Sequence, residues 1–208
     1  MKASGKVPPA SPGKRVTKRD ELLDAAERIV RRDGSSSLTL DAVAAEAGVS
    51  KGGLLYHFPS KESLISAMVE RMLAAFEAAQ EAAMAADPVE RGRWTRSWVR
   101  AAVAPEGVSD QDHVAAGLLA ALATNPALAD PLRERYAAWR RKAMHDGIGA
   151  EDAMIVSLAA DGLWMADLLG FESPTGETRR LIIARLLELA GGEAIGTPRQ
   201  MVKKQDPP

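Results

Sequence analysis

The run from Thr39 to Lys61, "TLDAVAAEAGVSKGGLLYHFPSK", holds three serine or threonine residues, Thr39, Ser50 and Ser60, each standing directly before a helix-forming segment. Such side chains accept hydrogen bonds from the open N–H groups of a helix's first turn, so each marks a start. Gly48 and Pro59 supply the stops, because glycine tolerates the left-handed turn after a helix and proline cannot continue one. These signals predict two helices of about two turns each, near 40–47 and 51–57, joined by a tight turn at Val49 and Ser50. The second contains Gly52 and Gly53. A glycine inside a helix costs about 1 kcal/mol relative to alanine, so a reason is needed for leaving out a side chain there.

The same punctuation runs along the chain. Thr17 and Asp20 form a capping pair before a stripe of Leu22, Leu23, Ala26, Ile29 and Val30 at helical spacing, closed by Gly34. A long helix is expected from Lys61 to about Ala86. Pro88, Pro105, Pro126 and Pro131, with Gly107, Gly147 and Gly149, divide the remainder into helical segments near 88–103, 110–124, 127–146, 150–170 and 174–190. No segment alternates as a strand does, and no repeat of fixed period is evident. The expected fold class is all-α.

Composition narrows the function classes. Hydrophobic residues make up 46% of the 208 and charged residues 26%, enough apolar material for a sizeable core. There is no cysteine, which fits a reducing compartment. No apolar run approaches the roughly 18 residues of a membrane span, and the charged N-terminus lacks a secretory apolar region. A cytoplasmic protein without a membrane partner is expected. The net charge of −1 hides an asymmetry: residues 1–61 carry 11 Lys+Arg against 7 Asp+Glu, the rest 16 against 21. Chance explains so modest a bias as well as a polyanion partner at one end does. His57, His113 and His145 are scattered, and no Gly-rich phosphate loop or G-x-S-x-G elbow occurs. No catalytic residue, metal site or cofactor is implied.

A short helix, a tight glycine turn and a second short helix suit a helix-turn-helix, in which the second helix enters the major groove. Ala44 and Ala45 are small enough for a close helix crossing, and Val49, Leu54 and Phe58 can lock the second helix inward. Lys51 and Lys61 can then neutralise phosphates, Tyr56 and His57 can donate to phosphate oxygens, and Thr39 and Ser50 sit at helix starts that favour anions. Gly52 and Gly53 give clearance to DNA, and Lys51 can reach a base edge. The alternative is an all-helical protein-interaction adaptor without specific DNA binding. It explains Leu54, Leu55 and Phe58 as packing, but not two glycines beside exposed Lys, Tyr and His.

The stretch "TLDAVAAEAGVSKGGLLYHFPSKESLI" resembles the DNA-binding domain of TetR-type transcriptional regulators, over about residues 15–66. Thr39, Ala44, Gly48, Val49, Leu54, Tyr56, Phe58, Lys61 and Leu64 carry the match, whereas the remainder resembles the family only in its plan of five or six helices. The resemblance implies a homodimer that binds a palindromic double-stranded DNA operator and is released by a small-molecule effector. It implies a helix-turn-helix domain at 15–61 and a helical ligand-binding and dimerisation domain at 62–192; composition predicts a disordered tail at 1–14, rich in Pro, Gly, Ser and Lys, and a flexible polar tail at 193–208. Thr39, Ser50, Tyr56, His57 and Lys61 match phosphate-contacting positions, and Lys51, Gly52 and Gly53 match base-facing ones. Leu55 stands where many members have a phosphate-facing tyrosine; it either touches a thymine methyl or makes no contact in its place.

The second half holds all four tryptophans. Trp94 and Trp98 share a helix face by their spacing, as do Asp161, Trp164 and Asp167 in "AADGLWMADLLGF". With Trp139 and Met165, these residues suit a pocket for a cationic, aromatic ligand held by cation–π contacts and a buried carboxylate. Met154 and Phe171 add adaptable apolar surface. The competing reading makes the tryptophans core and lets the aspartates cap helices or bind Arg across a dimer. The "DGLWMADLLGF" segment is similar to segments in a subgroup of the same family that includes regulators of drug-efflux genes. Leu181, Ile182, Ala184, Arg185 and Leu189 give the last helix a broad apolar side, which, with 150–170, could pair with its copy as a four-helix interface. Packing within one chain is the other possibility.

Overall fold

A computed structural model describes residues 17–103 and 110–191; the expected tails at 1–14 and 193–208 lie outside them. The described residues form nine α-helices and no strand: α1 (Lys18–Asp33), α2 (Leu40–Glu46), α3 (Lys51–His57), α4 (Lys61–Ala85), α5 (Arg93–Ala102), α6 (Asp110–Thr124), α7 (Asp130–Met144), α8 (Ala150–Leu168) and α9 (Gly176–Leu189). Single 3₁₀ turns cover Ser35–Ser37 and Pro126–Ala129.

The caps act where the side chains sit. Thr17 and Asp20 form a reciprocal capping box, as do Ser60 and Ser63 at the start of α4. Thr39 Oγ1 accepts from the Ala42 N–H and Ser50 Oγ from the Gly53 N–H, each at 3.1 Å. The stripe on α1 is fully buried and packs with Val43, Ala44, Leu54 and Phe58 into one core that continues through Leu64 and Met68 of α4. At 25 residues, α4 is about 37 Å long and connects the first three helices to the rest.

The first helices are seated on α6 as well as on α4. Gly117, in the middle of α6, lies so close to α1 that a Cβ there would overlap Val30 Cγ1. Glycine is therefore required by a close approach between helices rather than by a turn.

The helix expected at 88–103 begins only at Arg93. Its first residues instead wrap a buried arginine. Arg96 donates Nε and Nη2 to Asp87 at 2.7 and 3.1 Å, and reaches the carbonyls of Val89, Arg91 and Ala190 at 2.6–2.8 Å. Arg100 adds a second contact to Asp87 at 2.6 Å. Paired with Arg96 above all, Asp87 is held far below the ordinary carboxylate pKa. Gly92 closes this loop at φ 74°, where a Cβ would strike the Ala190 carbonyl. The segment expected from 127 starts as a 3₁₀ turn and becomes α-helical at Asp130, where Pro131 takes a first-turn position that needs no N–H.

Candidate DNA-binding surface and ligand cavity

Helices α2 and α3 are joined by a Schellman turn. Gly48 has φ 65°, its N–H donates to the Ala45 carbonyl at 3.1 Å, and the Val49 N–H donates to the Ala44 carbonyl at 2.9 Å. Leu54 and Phe58 are completely buried, so α3 is anchored along one side. Arg28 and Arg32 of α1 both bond Glu46, at 2.9 and 3.2 Å, and tie α2 to α1. Ala44 lies in the helix crossing, but Ala45 is exposed, because successive helical side chains point about 100° apart.

The outer side of α3 presents Lys51, Gly52, Gly53, Leu55 and Tyr56, the last 86% exposed. The His57 ring stands edge-on to Tyr56 at 5.1 Å, and Lys61 is half-buried in the first turn of α4. Thr39 and Ser50 use oxygen lone pairs as caps, which leaves each hydroxyl hydrogen to donate outward. Lys51 Nζ lies 3.0 Å from the exposed Asp41 carboxylate. Such a surface pair is worth about 0–1 kcal/mol and is readily exchanged for a phosphate or base contact. Nothing lies within 4 Å of a Cβ built on Gly52, and one on Gly53 meets only Ser50 Oγ at 3.4 Å. Neither glycine has positive φ. Packing among the described residues therefore gives no reason for glycine at either position.

A cavity of about 620 Å³ lies between α4, the end of α5, α6, α7 and α8, with α1 at one edge. This is within the usual range for a small-molecule site. Trp139, Asp161, Trp164, Met165 and Asp167 line it. Trp94 and Trp98 do not, which corrects the expectation that all the tryptophans nominated from the sequence face a ligand. Trp98 is fully buried behind the wall, edge-on to Phe76, Tyr136 and Trp139 at 6.0, 5.7 and 5.8 Å. Its Nε1 donates to Asp161 Oδ1 at 3.0 Å. Trp94 Nε1 donates to the Trp139 carbonyl, and Lys142 Nζ covers its ring at 4.4 Å. Spacing put both on one face of α5, but that face meets the back of the aromatic wall. Phe171, beyond the end of α8, is 64% exposed and lies outside the cavity lining.

The cavity is acidic, with Glu27, Asp112, Asp161 and Asp167 against Arg71 and Arg133. Burial pushes the Asp161 carboxyl above its ordinary pKa, opposed by the Trp98 N–H and by Arg140, whose Nη2 is 4.0 Å away. Burial, then Asp161, also raises the Tyr136 phenol, keeping it a neutral donor. Asp112 accepts from Trp164 Nε1 at 3.0 Å. Asp167 is engaged by buried Arg179 at 2.6 and 3.1 Å, an ion pair within the chain rather than across a dimer. Sequence reasoning missed Glu27, Arg71, Phe76, Asp112 and Tyr136, which come from four separate helices. Burial also raises Glu27, with Arg71 opposing.

The profile described as "Bacterial regulatory proteins, tetR family" matches residues 22–68, and "Tetracyclin repressor-like, C-terminal domain" matches residues 92–191. The chain belongs to the TetR family, a class of non-enzymatic transcriptional regulators with a DNA-binding domain. The nicotine-responsive transcriptional repressor HdnoR of Paenarthrobacter nicotinovorans is 38% identical over 58 residues, 28% of this chain and 30% of that protein. The chain thus matches less than a third of the length of the curated relatives found. A transcriptional regulator from Saccharomonospora viridis, crystallised with choline, has a TM-score of 0.65 at 25% identity, covering 82% of this chain and 95% of its own. The multidrug binding protein EbrR, complexed with imidazole, has a TM-score of 0.57 at 25% identity over the same shares. Among the described residues, no helix is long and apolar enough to cross a membrane, and no group of side chains could hold a metal ion.

Proposed function

We propose that the chain is a homodimeric repressor that binds a palindromic double-stranded operator through α2 and α3 and is released by a cationic, aromatic effector. The observation that carries the DNA-binding surface is the pair Gly52 and Gly53, exposed on α3 without any internal packing reason. In a groove-reading helix they become clearance. Thr39, Ser50, Tyr56, His57 and Lys61 hold phosphates, while Lys51 and Leu55 face bases. Residues 15–61 form the reading domain and 62–192 the ligand and dimer domain. Ile155, Leu158 and Leu181 expose about half their surface on α8 and α9, as a face awaiting its copy would. Two reading heads then stand one helical turn of DNA apart, roughly 34–36 Å. An operator-binding protein works in the cytoplasm.

Support for the effector class comes from an acidic, aromatic cavity and from the names of similar proteins: a nicotine-responsive repressor, a multidrug binding protein and a choline complex. Release follows when the effector prefers a spread of the two heads that does not fit successive major grooves.

The test has two arms. Duplexes selected from random sequence should bind the full chain with a steep salt dependence, and Lys61→Ala should lower the log–log slope by about one for each phosphate it no longer neutralises. Weak binding without a salt slope would favour the adaptor. Titration with rhodamine 6G, a cationic aromatic dye, should quench tryptophan fluorescence and release the duplex; the absence of both effects would exclude this effector class. A monomeric mass at micromolar concentration would refute the dimer.

A further inference from the structure

One wall residue of the cavity belongs to the first helix rather than to the second half of the chain. Glu27 of α1 lines the cavity beside Arg71 of α4. Arg71 holds α1 by two nitrogens of its guanidinium, with Nη2 2.5 Å from Asp24 Oδ1 and Nε 3.5 Å from Glu27 Oε1. Its third nitrogen, Nη1, is buried and finds no acceptor among the described residues. A buried donor without an acceptor is disfavoured, and the Arg71 side chain is 38% exposed and borders the cavity, so a turn of the guanidinium toward an occupant would give Nη1 an acceptor. Five residues further along α4, about 7.5 Å by helical rise, Phe76 stands against Trp98, which fixes the Asp161 carboxylate. The cavity therefore has an aromatic end with a fixed carboxylate and an end bordered by an arginine with one unpaired N–H group.

We propose that Arg71 reads the ligand for α1. This rests on the ligand-release reading above and refines its effector class: a cation that also carries an oxygen acceptor, such as an ester, ketone or ether. The cation sits at Asp161 and the aromatic wall. The acceptor engages Arg71 and draws the guanidinium away from Asp24 and Glu27. The clamp between α1 and α4 loosens, and the reading head is released by a contact on its own first helix.

The test compares two dyes that share a cationic xanthene ring, rhodamine 6G, which bears an ester carbonyl, and pyronin Y, which does not. The dissociation constant of each is measured on the full chain with and without saturating operator duplex, and the ratio is the coupling. For the parent protein, rhodamine 6G should show a ratio of about tenfold or more, and pyronin Y a ratio several-fold smaller. In Arg71→Gln, rhodamine 6G should still bind within about tenfold of the parent, with its ratio collapsed to within about twofold of one. The double variant Asp24→Asn, Glu27→Gln leaves Arg71 in place and should collapse the ratio equally; it carries the test if Arg71→Gln does not fold. An undiminished ratio in the folded variants, or equal coupling by the two dyes, overturns the role of Arg71 and leaves the ligand-release reading standing. Failure of both dyes to bind the parent overturns both.

Discussion

The seat of α1 on α6 gives a perturbation whose size can be worked from the structure. A Cβ on Gly117 would lie about 1 Å inside van der Waals contact with Val30 Cγ1. Val30 is buried and cannot swing clear, so Gly117→Ala must push α1 off α6. Overpacking of this kind costs about 1–3 kcal/mol, and the better helix propensity of alanine returns about 1 kcal/mol. The net loss should therefore be about 0–2 kcal/mol in urea denaturation, small enough to leave a folded protein. Displaced α1 should nevertheless weaken binding to a selected operator in the absence of any ligand. Val30→Ala alone leaves a cavity and costs about 1–3 kcal/mol. In the double variant, the new methyl occupies space the old one vacated. Its destabilisation should fall short of the two single losses together by about 1–3 kcal/mol, and operator affinity should recover. Strict additivity with undisturbed operator affinity in Gly117→Ala would refute the idea that this contact sets the attitude of the reading head.

Asp161→Asn should weaken pyronin Y by roughly 30-fold or more, since truncating one partner of a buried charge pair costs about 2 kcal/mol at least. Burial raises the Asp161 pKa, so dye affinity in the parent should decline as pH falls through that raised value and the carboxylate protonates; the variant should lack this decline. At Asp87 the sign is opposite. Its folded-state pKa is lowered by Arg96, so the pair contributes stability above the ordinary carboxylate value of 3.8, and this is lost as pH falls below it. Asp87→Asn should cost about 3 kcal/mol in denaturation at pH 7, and its difference from the parent should narrow by about 1 kcal/mol near pH 3.

The elements around the reading head were legible because their signals are local. Thr39, Ser50 and Ser60 cap the helices they precede, and Gly48 has the left-handed conformation that ends α2. The start of α5 was not legible. Its delay to Arg93 depends on Ala190, which meets Arg96 across 94 residues of sequence. The cavity divides in the same way. Asp161, Trp164 and Asp167 lie on one helix, and their spacing announced a shared face. Which face of α5 meets a ligand depends on what packs behind it, so spacing alone could not distinguish Trp98 as support from Trp139 as wall. Glu27 and Arg71 belong to different helices and meet only through tertiary packing; nothing in the local sequence of either marks them as neighbours of Trp164.

The central claim, that α3 leaves room for DNA at Gly52 and Gly53, is tested most directly by replacing both with alanine and measuring two quantities on one protein. No neighbour obstructs the first new side chain and the second makes only ordinary contact with Ser50. Each replacement should therefore stabilise the fold, by about 0.5–1 kcal/mol, through helix propensity. Binding to a selected operator should weaken by at least roughly tenfold, about 1.4 kcal/mol. Greater stability with weaker operator binding is the result the account predicts. Greater stability with operator affinity within about twofold of the parent would contradict it.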